Sequence, residues 1–335
     1  MDSYFELFFT SHTILITFHA CYIFIYLLHF ILLINLNILN IYYTLTINML
    51  LQIYLLFFII FNSFLSFLYA IPINSVNKLN TSYIPIVVLH GILSSKQNME
   101  PFSNWLEKSF YSKLFNIEIG NGEKTSLFSP MNNQLNELCE TIYTIPDLKN
   151  GFNFIGMSQG GLLARGYLEK CNKYPVFNLI TMVSPHGGVI QNININMYNI
   201  FIQNTLSFSN YWRDPTNLDD YLTKCSYLPL LNNEKKHENF NKQKENIKSL
   251  TNFIMIWSPF DEILNPPESA EFSFYDKDYT IIPLDKTVIY NNDKLGLKVL
   301  NAKNKLHIYK TNCTHTQHRD PICFPQLYNI FKQYL

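Results

Sequence analysis

The first 70 residues contain no lysine and no arginine, and their only acids are Asp2 and Glu6. A segment without cations offers nothing to a phosphate backbone, and it lacks the positive start that usually precedes a secretory signal. The chain as a whole also lacks an excess of either charge. Lys and Arg number 25 and Asp and Glu 25, and setting aside the two N-terminal acids leaves 25 against 23, a net of +2. Nucleic acid is therefore excluded as a partner. No segment of roughly 20–50 residues recurs, which excludes solenoids and propellers.

What the N-terminus does have is apolar length. Residues 14–36 and 49–69 are two apolar runs, each near the length that spans a bilayer. They fit two membrane helices, a signal anchor or a cleaved signal peptide. The second run is read as a signal peptide over 49–70, since it ends at the small residue Ala70 before the polar sequence that Ile71-Pro72 begins. Residues 1–70 then form an apolar leader, of which 1–48 either has no evident role or precedes a translation start at Met49. The rest of the chain would face a lumen. Asn80 and Asn312 open N-glycosylation tripeptides, and five of the six cysteines lie beyond the leader. In a lumen those five fit two disulfides and one free thiol; the alternative is five buried thiols.

From residue 84 the sequence alternates between short apolar runs and helical patterns. Strands are expected at 84–89, 114–119, 151–155, 178–183, 252–258 and 306–309, and helices at 99–110, 132–143, 161–171 and 321–335. Continuous apolar strands separated by helices indicate an α/β fold with a mostly parallel, doubly wound sheet covered on both faces. Between about 187 and 250 the alternation stops. That stretch holds Tyr211-Trp212 and Leu228-Pro229-Leu230-Leu231, and it reads as an inserted cap segment of the 71–335 domain.

Gly156-Met157-Ser158-Gln159-Gly160 is a G-x-S-x-G pentapeptide between an expected strand and an expected helix. Its glycines allow a sharp strand-to-helix turn, which exposes the Ser158 hydroxyl at the end of the sheet as a nucleophile. Such a serine needs a histidine base and an acid that orients it, following in the order Ser, acid, His on loops after later strands. Asp261-Glu262 follows the strand ending near Ser258, and Thr311 to His318 follows the strand ending near Tyr309. Asp261 is preferred to Glu262 as the shorter side chain nearer the strand end. His315 and His318 compete for the base, while His90, His186 and His307 read as shaping or packed histidines. The oxyanion donors are expected to be the backbone N–H of Gln159 and that of Ile92, in the loop after the first strand.

The chain resembles the palmitoyl-protein thioesterase family of α/β-hydrolases. The likeness runs from about Ile84 to the C-terminus and rests on PIVVLHG at 85–91, GMSQGG at 156–161, YWRDPTNLDDY at 211–221, PFDEILNP at 259–266, FSFY at 272–275 and LGLK at 295–298. The Cys313 to His318 stretch with Cys323 nearby looks closer to the lysosomal type 2 branch. The resemblance implies Ser158 as nucleophile, Asp261 as acid, His315 as base, a Cys139–Cys171 disulfide and a Cys313–Cys323 disulfide, with Cys225 left over.

It further implies a lysosomal or secreted hydrolase of long-chain fatty acyl thioesters, acting through an acyl-enzyme without metal or cofactor. A lipase or carboxylesterase on oxygen esters, and a non-catalytic lipid-binding member, are the alternatives. Membrane contact is expected only through a lipid substrate or an uncleaved leader. A thiolate leaves readily near its own pKa of about 8.5. Burial of the acyl tail contributes about 0.8 kcal/mol per methylene, and part of the groove for it is expected in the cap.

Overall fold

The computed structural model describes residues 83–335, together with short helical stretches at 23, 25–27, 52–58 and 61. Contacts divide the chain into two units, Met1–Thr81 and Ser82–Leu335. No helix among the described residues is long and apolar enough to cross a membrane. Apart from the helical residues 52–58 and 61, the expected signal peptide falls outside the described residues, as do its cleavage point after Ala70 and the tripeptide at Asn80.

The second unit is built on six parallel strands in the order β2-β1-β3-β4-β5-β8. β1 (Ile86–Leu89) and β3 (Phe152–Met157) are buried at every residue. β4 (Val176–Met182) and β5 (Asn252–Trp257) are nearly so. A strand covered on both faces has no solvent side to fill with polar residues, which is why these runs are continuously apolar. The edge strands β2 (Leu114–Ile117) and β8 (Leu306–Lys310) are only partly covered, and on β8 Leu306 is buried while Ile308 and Lys310 are exposed. Leu89 pairs with Gly156, Met157 with Met182 and Trp257 with Lys310, so the strand ends run level. The loops that leave them open on one edge, where parallel sheets hold their sites.

Helices cover both faces. α1 (Lys96–Phe110) buries Met99, Phe102, Ser103, Leu106 and Phe110, a helical stripe. Its Trp105 stacks at 4.4 Å on Phe324 of the C-terminal helix α8 (Phe324–Phe331). The short α2 (Glu123–Phe128) is followed by α3 (Met131–Tyr143), which buries Leu135, Leu138, Cys139 and Ile142. α4 (Gln159–Gly166) is buried at every residue and continues through one wider, π-helical turn to Cys171. Cys139 is bonded to Cys171 with the Cα atoms 6.2 Å apart, and Cys313 to Cys323 with 6.0 Å. Cys225, the free thiol among the described cysteines, is buried.

Between β4 and β5 lies a helical insertion with α5 (Leu218–Lys224), α6 (Phe240–Lys248) and single turns at Ile200–Gln203 and Leu228–Leu231. Its aromatics Tyr211, Trp212, Tyr221 and Tyr227 are buried. Arg213 donates two hydrogen bonds to Glu234, at 2.8 and 3.0 Å, and its guanidinium lies 3.7 Å from the ring centre of Phe274. Tyr221 donates to the same carboxylate at 2.5 Å. Phe274 belongs to a small hairpin of β6 (Phe274–Tyr275) and β7 (Ile281–Ile282) that precedes α7 (Leu297–Ala302). The hairpin, α2 and α7 had no counterpart in the sequence reading, because each is shorter than the window in which a period shows.

The Cys139–Cys171 bond closes a loop of sequence separation 32 between α3 and the end of the elbow helix. A protein with both cysteines replaced by serine is expected to lose about 3–4 kcal/mol of stability, read from urea unfolding of the two forms.

Candidate active site

Ser158 sits between β3 and α4 with φ 54° and ψ −128°, in the left-handed region that a side chain enters only under constraint. Its amide donates to the Met182 carbonyl at 2.8 Å, which fixes it to the neighbouring strand. The glycines around it are required by close approach. A Cβ on Gly156 would lie 2.5 Å from the Gly160 carbonyl oxygen, and one on Gly160 would meet the carbonyls of His90 and Leu89. A Cβ on Gly161 would meet the Ser184 hydroxyl, and one on Gly91 would come within 2.9 Å of Ser158 Cβ. The loop after β1 therefore lies directly against Ser158.

The acid and the histidine come from the loops after β5 and β8, which are adjacent strands. His315 Nδ1 donates to Asp261 Oδ2 at 2.7 Å, and both residues are buried. The other carboxylate oxygen, Oδ1, accepts the amides of Ile263 at 2.9 Å and Leu264 at 2.8 Å. Glu262 is not on the ring; its Oε2 accepts the His315 backbone N–H at 3.0 Å. The two neighbouring acids thus hold one histidine by side chain and by main chain, an arrangement that the sequence offered only as a choice between them.

His318 is engaged elsewhere. Its Nε2 is 2.8 Å from the Thr311 hydroxyl and its Nδ1 is 2.8 Å from the Thr314 carbonyl, and burial lowers its pKa. It braces the loop that carries His315. His90 holds the Gly91 carbonyl through Nδ1 at 2.8 Å, and burial lowers its pKa as well. His307 bonds Asn252 on the sheet at 3.0 Å. The Gln159 amide is the first of α4 and so has no carbonyl one turn back to donate to, and among the described residues no hydrogen bond from the Ile92 amide is present. Asn312 is exposed at the start of the disulfide-closed loop. Among the described residues no three His, Cys, Asp or Glu side chains gather as a metal site.

The sequence model of the family described as palmitoyl protein thioesterase matches residues 85–315, from the residue before β1 to His315 itself. The chain belongs to that family. Palmitoyl-protein thioesterase 3 of Dictyostelium discoideum is 36% identical over 266 residues, which cover 75% of this chain and 92% of that protein. Lysosomal thioesterase PPT2-B of Xenopus laevis is 28% identical over 277 residues, 76% of this chain and 92% of its own. A solved monoacylglycerol lipase of Paleococcus ferrophilus matches 75% of this chain and 93% of its own at 13% identity and a TM-score of 0.45. As a palmitoyl protein thioesterase family member the chain is a thioester hydrolase.

Three of the segments that carry the likeness to the thioesterase family, 211–221, 259–266 and 272–275, meet in space. Val189 bridges to Trp212, Arg213 covers Phe274, and Tyr275 donates to Asn265 at 2.9 Å, so the insertion, the hairpin and the acid loop form one contact network. Deeper, on the elbow helix, Arg165 and Glu169 form a fully buried pair at 3.5 Å. Arg165 also donates to Asn232 at 2.7 Å and lies 4.8 Å from the ring centre of Phe272, on which His186 stacks.

Burial outweighs the attraction of Arg165 and pushes the Glu169 carboxyl from its ordinary 4.5 up to about 8. Between those values the native state holds a proton that the unfolded chain has lost, so the contribution of this group to stability is full below about pH 4.5 and declines as pH rises toward 8. The buried histidines, their pKa values lowered, act with the opposite sign at the acidic end, so the expected outcome is a difference: the thermal midpoint of Glu169→Gln relative to wild type should rise between pH 5 and pH 8.

Proposed function

We propose that this protein is a serine hydrolase that cleaves long-chain fatty acyl thioesters, palmitoyl-CoA or S-palmitoylated protein, through an acyl-enzyme on Ser158. The observation that carries the reading is the 2.7 Å bond from His315 Nδ1 to an Asp261 carboxylate whose other oxygen is held by two amides. With Nδ1 engaged as donor, Nε2 is the nitrogen left to take a proton from Ser158. The Ser158 oxygen then attacks the thioester carbonyl, and the amides of Ile92 and Gln159 take the charge that develops on its oxygen. Collapse expels the thiolate, which takes up the proton held on Nε2 and leaves the imidazole neutral again. Water, deprotonated by the same Nε2, attacks the acyl-serine, and the fatty acid leaves as Nε2 returns that proton to the Ser158 oxygen.

The acyl chain is assigned to the insertion acting as a cap. Residues 187–212 carry no charged side chain, and Ile193, Ile195, Ile200 and Phe201 on them are exposed. We infer a lumenal enzyme, lysosomal or secreted, whose leader is removed after Ala70. Relatives named lysosomal thioesterases, two disulfides and an exposed Asn312 side chain at the head of its tripeptide support that compartment. Sequencing the N-terminus of the purified protein tests it: a start near Ile71 is expected, and a start at Met1 would refute it.

Hydrolysis of palmitoyl-CoA should exceed that of the matched oxygen ester, and the reverse preference would favour a lipase or carboxylesterase. Ser158→Ala should abolish labelling by a fluorophosphonate. Ser158→Ala and His315→Ala should each lower kcat by at least about a thousandfold with the fold retained. His318→Ala is expected to act mainly on thermal stability. A kcat loss of that size in His318→Ala, with only a mild loss in His315→Ala, would reverse the assignment of the base.

A further inference from the structure

Ser126, on α2, belongs to none of the segments that carry catalytic chemistry, yet it is only 2% exposed and touches both sides of the expected oxyanion hole. Its hydroxyl accepts the Leu93 amide at 2.9 Å and donates to the Glu123 carbonyl at 2.9 Å. Leu93 is the residue after Ile92, and its φ of 51° is one that a leucine holds only when its surroundings fix it. The Ser126 carbonyl accepts Gln159 Nε2 at 2.8 Å. The same carbonyl lies 2.6 Å from the Ser207 hydroxyl and 3.3 Å from Gln134 Nε2.

The Gln159 side chain is the second half of this brace. It is 1% exposed, and its Oε1 lies 2.9 Å from the Ser207 hydroxyl and 3.0 Å from the Tyr211 hydroxyl, both on the insertion. One short helix therefore ties the loop that follows β1 to the first residue of the elbow helix, and the insertion closes the same knot from above. A buried network with its members satisfied is rigid, because releasing any one of them leaves a polar group unpaired in a low-dielectric interior.

We propose that Ser126 is a positioning residue for the oxyanion hole: its hydroxyl sets the loop carrying the Ile92 amide, and its carbonyl sets Gln159, whose own amide is the second donor. The geometry matters because donors act only when preorganised at the place where charge develops, and small displacements there are costly in rate. The proposal rests on the reading of Ile92 and Gln159 as those donors. A positioning role of this kind falls on the transition state and leaves ground-state binding of the acyl chain alone.

The test is steady-state hydrolysis of palmitoyl-CoA by Ser126→Ala, together with inhibition by a trifluoromethyl ketone bearing a palmitoyl-length chain, whose hydrate or serine adduct mimics the oxyanion. Ser126→Ala is expected to lower kcat about tenfold or more with KM within about twofold, and to weaken the ketone by the same factor. Ser126→Thr, which keeps the hydroxyl, should recover most of both. Ser207→Ala, which leaves Ser126 itself intact, should shift both readouts in the same direction by a smaller factor, and it carries the test alone if Ser126→Ala fails to fold.

An active wild type whose Ser126→Ala and Ser207→Ala forms keep kcat and ketone affinity overturns the proposal, as does a rise in KM at constant kcat. A wild type inert to both palmitoyl-CoA and a fluorophosphonate overturns the hydrolase reading itself, and the positioning role falls with it.

Discussion

The constraint on which the rest depends is close approach around the β3–α4 turn: a Cβ at position 156 would meet the start of α4, one at 160 the carbonyls at the end of β1, and one at 161 the Ser184 side chain beyond β4. That approach turns the chain at Ser158 and holds it in a conformation that costs a non-glycine residue on the order of 1–3 kcal/mol. The strain persists because everything around it is over-determined. The Ser158 amide is tied to β4, the loop after β1 lies against its Cβ, and α4 is buried along its whole length. The elbow is fixed to the sheet before any side chain is considered.

The rest of the site follows from the sheet. β5 and β8 are neighbours and end level, so the loops beyond them lie side by side, and Asp261 and His315 meet without either loop having to be long. The carboxylate is oriented by the amides of the residues that follow it, a local turn of the kind that Asp forms readily. The histidine is oriented from both ends, its ring by Asp261 and its main chain by Glu262, while His318 braces the turn that carries it.

The parts of this arrangement that chemistry forces into a fixed order were legible in the sequence. Ser158 stood out because glycines flank it between a strand and a helix, and Asp261 and His315 because each follows a strand in the order that the elbow demands. The parallel sheet was legible because buried strands must be continuously apolar. The Cys139–Cys171 and Cys313–Cys323 pairings were legible only through the family likeness, since spacing alone does not select partners.

What depends on convergence was not legible. Ser126 lies about thirty residues from both Leu93 and Gln159, and nothing near it in sequence marks it. Arg165 and Glu169, four apart on a helix, carry nothing in sequence that marks them as buried, since Asn232 and Phe272, which meet Arg165, lie far along the chain. Glu262 stood as a rival to Asp261 because a sequence does not tell which of two adjacent carboxylates faces a ring and which faces an amide. The β6–β7 hairpin, with two residues in each strand, carries no period at all.

His315 lies inside the ring of chain that Cys313 and Cys323 close, with a sequence separation of 10. In a reducing solvent that ring is open, and the loop regains the freedom that closure removes. The imidazole would then be held to Asp261 by hydrogen bonds alone, on a segment no longer cross-linked to the start of α8. With the ring closed, the turn that carries His315 has one end pinned to the residue before α8, a covalent limit added to the hydrogen bonds that orient the imidazole.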